Sequence, residues 1–268
     1  MLESVPRDVP VVLVSNAGEP DGSPLADIAM AHGARLIVNA QNKGFGVACN
    51  QGAALLETEF VLFLNPDAAL EKDALEKLLE AADRYPDAVA FNPRIASPSG
   101  APQFKRNSHL FPRSDKMARG WPKTDSEVTV LSGAAFLVRR KAFEQVGGFD
   151  PMIFLYHEDD DLALTLRKKV GRLYFVRDAL VTHLEGRSSA RTPQIAALKA
   201  WHMGRSRVYA TRKHGRSAPF ARAAFSAVRQ LLSIEVLFSK RKRAKQVAYL
   251  KGVISTRHDG GATPGDDA

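Results

Sequence analysis

Four short apolar runs, "VPVVLVSN" (9–16), "RLIVNA" (35–40), "EFVLFLN" (59–65) and "AVAFNP" (88–93), alternate with stretches of helical periodicity. No other feature constrains the fold as tightly. The runs are too short for buried helices and rich in β-branched and aromatic residues, so they read as strands. Residues 24–32, 45–57 and 71–84 between them have helical spacing. Around the last of these, Leu70, Ala74, Leu75, Leu78 and Leu79 share one face and Glu71, Lys72, Glu76 and Lys77 lie outside it. Alternation at this pitch gives βαβ units, and hence an α/β domain with a mostly parallel central sheet flanked by helices. Regular structure is expected again at "EVTVLSGAAFLVRRKAFEQVGGF" and "RLYFVRDALVTH". In residues 94–126, Pro98, Pro102, Pro112 and Pro122 among polar residues mark a long surface loop.

The chain has 268 residues, enough for one large domain or a domain with an appendage. Its one cysteine, Cys49, excludes an intrachain disulfide and fits a reducing compartment. Neither a signal-peptide pattern nor a run of 18 apolar residues is present. A cytoplasmic protein is expected. The net charge of +9 is unevenly placed. Residues 186–258 hold 17 Lys or Arg against one acid, Glu235, while the remainder carries 21 basic and 28 acidic residues. A strongly basic segment on a mildly acidic body points to a polyanionic partner.

Within this frame four stretches carry candidate chemistry. In "NAQNKGFGVACNQGA" (39–53), Gly44 and Gly46 open a helix straight after a strand, where backbone N–H groups meet phosphates; glycines at an ordinary turn are the alternative. Asn65-Pro66-Asp67 ends the third run. Pro66 stops the ladder because it has no N–H to donate, and Asp67 then sits at a strand's carboxyl end, where open α/β sheets hold ligands. Capping of the next helix is the other reading of Asp67. In "LSGAAFLVRR", Ser132, Gly133, Ala134 and Ala135 let either a ligand or a packing partner approach closely. "FLYHEDDDLALTLR" sets Glu158, Asp159, Asp160 and Asp161 in a row before an amphipathic helix. Capping and the helix dipole account for one or two of them. Four repel one another, which a neighbouring cation or a proton-transfer role would justify. His183, closing an apolar run, is a plausible metal ligand.

Together these residues resemble a family 2 glycosyltransferase with the nucleotide-sugar-binding GT-A fold, nearest the bacterial rhamnosyltransferase-like branch that builds cell-surface polysaccharides. "NAGEPDGS", "NKGFGVACNQG", "FLNPD", "SGAAFLVRRKAFEQVGGFDPMIFLYHEDDDLALTLR" and "DALVTHLEGRSS" carry the likeness, in the family's order, over about residues 9–215. The resemblance implies that Asn65-Pro66-Asp67 is this branch's Asp-x-Asp motif, with Asp67 and His183 binding Mg2+ or Mn2+. It implies donor contacts from Ser15, Asn16, Asn42, Gly44, Gly46, Asn50, Asn65 and Gly133. The general base is expected at Asp159, with Glu158 the second choice, taking a proton from the acceptor hydroxyl in a single inverting displacement. The expected partners are a nucleotide-sugar donor and a glycan or polyprenyl-diphosphate-linked acceptor, with no nucleic acid.

Two departures fall on the donor half. The first run, "VPVVLVSN", matches the family's second strand, so either the start site is assigned too far downstream or the domain is reduced and its base-binding pocket incomplete. Ser15 stands where the family has an aspartate that contacts the uracil or thymine ring. A catalytically degenerate homologue acting as a partner- or acceptor-binding subunit is the alternative function. The expected organisation is a GT-A-like domain over 1–198, a basic amphipathic helical segment over 199–257 and a disordered tail over 258–268. In the helical segment, Phe225, Val228, Leu231, Leu232, Val236 and Leu237 accompany Lys240, Arg241, Lys242, Arg243 and Lys245. Arg222, Arg229 and Glu235 interrupt the apolar stretch. Such a segment cannot span a bilayer and is expected to lie on an anionic membrane surface, placing the protein peripherally on the inner face of the cell membrane. Packing of the apolar face against the catalytic domain is the alternative.

Overall fold

The computed structural model describes residues 1–16, 18, 24–184, 192–233, 236 and 238–257. Its elements follow in the order β1 (Val12–Ser15), α1 (Pro24–Ala31), β2 (Arg35–Val38), α2 (Phe45–Ala53), β3 (Phe60–Leu64), β4 (Ala68–Leu70), α3 (Ala74–Arg84) and β5 (Ala88–Ala96). Then come β6 (Ser126–Val128), β7 (Ala135–Arg139), α4 (Arg140–Gln145), α5 (Glu158–Lys169), β8 (Arg172–His183), α6 (Pro193–Lys213), α7 (Pro219–Leu231) and α8 (Lys240–Ser255). Contacts divide the chain into two units, Met1–Pro151 with Asp159–Ser188, and Met152–Glu158 with Ser189–Ala268. The 258–268 tail, Glu235 and Leu237 lie outside the described residues.

The first unit is α/β. Its larger sheet has the order β3-β7-β5-β8-β4, with β6 also paired to β8. The sheet is mixed rather than mostly parallel: β5 and β8 run parallel, and the other pairs are antiparallel. The short connection from β3 to β4 explains part of this. Three residues cannot make the crossover a parallel pair needs, and they span at most about 14 Å from Leu64 to Ala68. Flat strands about 4.8 Å apart would set the two ends of that order roughly 19 Å from each other. The sheet therefore curls, and register shifts between β5 and β8, one of them between Pro93 and Arg94, are where such a bend is taken up. β1 and β2 form a separate parallel pair.

Aromatic packing fixes the core. The ring of Phe63 on β3 lies 5.0 Å from Phe136, 5.1 Å from Phe143 and 5.3 Å from Phe149. Helix α3 buries Leu78, Ala81 and Ala82 against Phe91, Leu137 and Val176. The loop after β5 is anchored rather than draped over the surface. Leu110 and Phe111 are buried, Arg106 Nε donates to the Met117 and Ala118 carbonyls, and Trp121 Nε1 donates to the Ile95 carbonyl.

In the second unit α6, α7 and α8 pack around Ala200, Val208, Ala223, Ala227, Tyr249 and Val253. Helices α6 and α8 meet backbone to backbone. A Cβ on Gly204 would collide with the Tyr249 carbonyl oxygen, and one on Gly252 with that of Trp201. The same unit holds the segment 152–158, where Phe154 stacks on His202 and Ser206 Oγ donates to the Leu155 carbonyl.

Candidate active site

Strand pairing brings Asp67 and His183 together. β4 runs antiparallel to β8 with Ala68 opposite His183, and the Leu184 N–H donates to the Asp67 carbonyl. Asp67 is followed by a strand, so it caps no helix; α3 begins only at Ala74. His183 Nε2 lies 3.2 Å from Asp67 Oδ1, both side chains being largely buried. Gln103 holds the histidine of this pair from two sides. Its amide nitrogen donates to the His183 carbonyl, which turns its Oε1 towards His183 Nδ1 at 2.9 Å. His183 Nε2 and Asp67 Oδ1 are both atoms that can offer a lone pair to a cation. Asp67 Oδ1 is itself buried without a hydrogen-bond donor. Two lone-pair donors 3.2 Å apart have about the spacing of neighbouring ligands on a small octahedral cation. The residues present fit a divalent metal. Among the described residues no group of three or more His, Cys, Asp or Glu side chains gathers around one point.

Asp159 opens the part of α5 that belongs to the first unit, and three donors hold its carboxylate. Oδ2 accepts from Lys105 Nζ at 2.6 Å and from the Gly133 N–H at 3.0 Å, while Oδ1 accepts from the Asp160 N–H at 2.9 Å. Lys105 also lies 2.8 Å from Asp160 Oδ1. Burial alone would lower the Lys105 pKa, but the two adjacent carboxylates reverse this and raise it above the ordinary lysine value. The acidic run thus has its neighbouring cation, delivered by the loop. Gly133 is small because a Cβ there would sit 3.3 Å from Asp159 Oδ2. Its N–H serves the carboxylate, so the close approach is to a protein side chain.

Before α5, Tyr156 and His157 have φ of 66° and 72°, left-handed conformations that cost about 1–2 kcal/mol each outside glycine. Strain of this kind persists where the surroundings impose it, and often at functional positions. Glu158 follows, nearly fully buried, in the second unit. Burial, and then the charge of Glu158, raise the Tyr156 pKa.

Three of the predicted donor-side residues, Asn16, Asn42 and Gly44, form a second cluster. Asn16 Nδ2 donates to Asn42 Oδ1 and the Gly44 carbonyl, and its Oδ1 accepts from Asn39 and from the Lys43 N–H. Asn42 Oδ1 also takes the Gly44 N–H. The loop is therefore set by its own asparagines, and Gly44, with φ of 91°, needs to be glycine. Gly46 and Asn50 do packing work. A Cβ on Gly46 would lie 2.8 Å from Phe149 Cβ, and Asn50 bonds both the N–H and the carbonyl of Phe149. Ser15 is buried at the end of β1, and the Asn65 N–H donates to the Ala134 carbonyl. Sequence reasoning missed Gln103 and Lys105. The uncompensated charge of the acidic run was the signal for Lys105; nothing local marked Gln103.

Comparison with known proteins bears on the family and the fold. The model of the family "Glycosyl transferase family 2" matches residues 6–147. An N-acetylglucosaminyl-diphospho-decaprenol L-rhamnosyltransferase of Mycobacterium tuberculosis is 33% identical over 216 residues, covering 70% of this chain and 70% of that protein. A pre-mycofactocin glycosyltransferase of the same organism is 33% identical over 181 residues, covering 66% of this chain and 37% of its own length. Among solved structures, GalNAc-T7 with UDP, GalNAc and Mn2+ superposes with a TM-score of 0.56 at 15% identity, over 96% of this chain and 53% of that one. The chain thus spans about half the length of that protein. The mannosyltransferase PcManGT from Pyrobaculum calidifontis, with GDP-Man and Mn2+, gives 0.53 at 17% identity, over 96% of this chain and 80% of that one. These likenesses show the GT-A fold.

Proposed function

Because this chain belongs to glycosyl transferase family 2, in its rhamnosyltransferase-like branch, we propose that it is an active inverting glycosyltransferase. It moves a sugar, rhamnose or another deoxysugar, from a nucleotide-diphosphate donor to a polyprenyl-linked or glycan acceptor in cell-surface polysaccharide synthesis. The observation that carries this reading is the loop tripeptide Gln103–Lys105, whose first residue seats the His183–Asp67 pair and whose last seats Asp159. Three residues span about 7 Å between their end Cα atoms, so a metal-ligating pair and a base stand within reach of one substrate.

In this reading Asp67 and His183 hold the divalent metal, Mg2+ or Mn2+, whose chemistry is to neutralise the charge that develops on the leaving nucleotide. The rest is the work of the chain. Asp159, oriented by Lys105, Gly133 and the Asp160 N–H, accepts the proton of the acceptor hydroxyl as that oxygen attacks the anomeric carbon. The new C–O bond forms on the face opposite the diphosphate, whose bond breaks, so the anomeric centre inverts. One observation favours the alternative of a degenerate, binding-only homologue. Ser15 stands where the nucleotide-contacting aspartate is expected, and it is buried.

Calorimetric titration of UDP-, dTDP- and GDP-sugars with and without Mn2+ separates the two. Saturable binding that requires Mn2+ is expected, weakened at least tenfold by Asp67→Asn with no change in melting. Metal-independent binding, or none, would favour the degenerate reading.

We further propose that the second unit docks on an anionic bilayer, as a polyprenyl-linked acceptor on the cytoplasmic face requires. No helix among the described residues is long and apolar enough to cross a membrane. Helix α8 instead opens with Lys240, Arg241, Lys242 and Arg243, and no acid stands in its first turn. Cations at the positive end of a helix dipole are unfavourable, and an external anion relieves that cost. In the same unit Phe225, Leu232 and Phe238 are 72%, 79% and 87% exposed, and apolar side chains of this size favour a bilayer over a nucleic acid. With about 1 kcal/mol from each basic residue near the surface, salt-sensitive co-sedimentation with phosphatidylglycerol vesicles is expected. It should be lost when Lys240, Arg241, Lys242, Arg243 and Lys245 become Gln. Failure of the wild type to sediment at low salt would leave packing as the explanation.

A further inference from the structure

We propose that Lys105 is the positioning residue of the reaction: a lysine carried by the loop after β5 that fixes the carboxylate of Asp159 and counters the charge of Asp159 and Asp160. The inference rests on the reading of Asp159 as the base.

The geometry argues against a casual surface ion pair. Nζ lies 2.6 Å from Asp159 Oδ2 and 2.8 Å from Asp160 Oδ1, so one ammonium joins two consecutive carboxylates of α5. The carboxylate side chains are 15% and 5% exposed, a setting where charge pairing is only weakly screened. The lysine is also delivered rigidly. Four consecutive side chains of the loop each have a seat: Gln103 on His183, Phe104 with its ring 5.6 Å from that of Phe175, Lys105 on the two aspartates, and Arg106 on the Met117 and Ala118 carbonyls. Behind them the Gln103 N–H donates to the Ile95 carbonyl, tying the segment to β5. A lysine held this way gives up little further side-chain entropy in making its contacts.

The consequence for Asp159 is directional. A carboxylate offers about four lone-pair positions. Lys105, Gly133 and the Asp160 N–H take three, leaving one for an acceptor hydroxyl. Remove the ammonium and two things follow. Oδ2 keeps only the Gly133 N–H, so the carboxylate can rotate, and the adjacent charges of Asp159 and Asp160 lose their common counter-ion. A base that samples several orientations reacts from only a fraction of them. Turnover should fall while donor affinity does not, because Lys105 contacts Asp159 and Asp160 rather than Asp67, His183 or the 39–44 loop.

The test is a set of four proteins assayed with dTDP-rhamnose and a GlcNAc-diphospho-polyprenol acceptor: Lys105→Met, Lys105→Arg, Asp159→Asn and the double variant Lys105→Met/Asp159→Asn. The expected result for Lys105→Met is a fall in kcat of about 10–100-fold, as for supporting residues at other sites, with the donor KM within about twofold of wild type. Lys105→Arg should recover most of the rate. The double variant should be no slower than Asp159→Asn alone, since two residues that act through one carboxylate are not additive. Should Lys105→Met not fold, Lys105→Gln is read in the same way, and Lys105→Arg still reports on charge. Wild-type kcat in Lys105→Met, or losses that multiply in the double variant, would overturn the inference while leaving Asp159 as base. Full activity in Asp159→Asn would overturn the base assignment instead, and a wild type that turns over no donor would overturn both.

Discussion

Asp159→Asn will lower turnover by about 10²–10⁴-fold and leave donor binding near the wild-type level. The substitution is nearly isosteric. An amide oxygen at the Oδ2 position still accepts from the Gly133 N–H and from Lys105, and only the Asp160 N–H loses its acceptor. What disappears is the capacity to take a proton. The loss must therefore fall on kcat, not on donor KM, and steady-state kinetics with donor and acceptor varied separately will show which. Glu158→Gln is the paired control. If Asp159→Asn keeps full activity and Glu158→Gln abolishes it, the roles within the pair are reversed. If neither matters, the acidic run has no catalytic role.

The second large effect is on stability. Gly252→Leu will unseat the helical unit, because its Cβ would collide with a backbone atom, the Trp201 carbonyl oxygen. Overpacking costs about 1–3 kcal/mol when side chains can yield. Here α6 and α8 must move apart along their whole contact, since Gly204 faces Tyr249 across the same interface. A cost at or above the upper end follows, equivalent to a fall in Tm of roughly 6–12 °C for a chain of this size, or to an early separate transition. Melting followed by circular dichroism reads either outcome. A Tm within about 2 °C of wild type would show that the helices do not meet at these glycines.

Much of the fold was legible because hydrophobic periodicity is a local signal. "RLYFVRDALVTH" coincides with β8, and the apolar run before Asn65 coincides with β3, setting Asp67 at the strand end as expected. Partners were not legible, because a periodic run reports which face is buried and not what covers it. The antiparallel fit of β4 on β8, which creates the Asp67–His183 pair, joins residues more than a hundred apart in the chain. The contacts of the acidic run are also non-local, though over shorter spans: Lys105 is 54 residues from Asp159 and Gly133 is 26. Small residues misled for a related reason. Gly133 signalled a close approach, and what approaches it is Asp159; Gly46, read as a phosphate-facing or turn glycine, meets Phe149. Asn50, expected on the donor, is engaged by the Phe149 backbone 99 residues away. The proline-rich loop looked polar and loose, yet Leu110 and Phe111 bury it and make it the carrier of two site residues.

The separate β1–β2 pair bears on how a donor would be held. Two strands of four residues are below the size at which a sheet supports itself in water. This pair leans on α2, through Gly52 against Val12 and Val14, and α2 in turn is fastened to Phe149 by Asn50. The asparagine network of Asn16, Asn39 and Asn42 sits on that corner. Its opening free energy is therefore lower than that of the six-stranded sheet, and it can unlatch as a unit while the aromatic core stays intact. A nucleotide gripping this corner would be spending part of its interaction energy on keeping the latch shut. Its measured affinity would then report the stability of β1–β2 and α2 together with the contacts it makes.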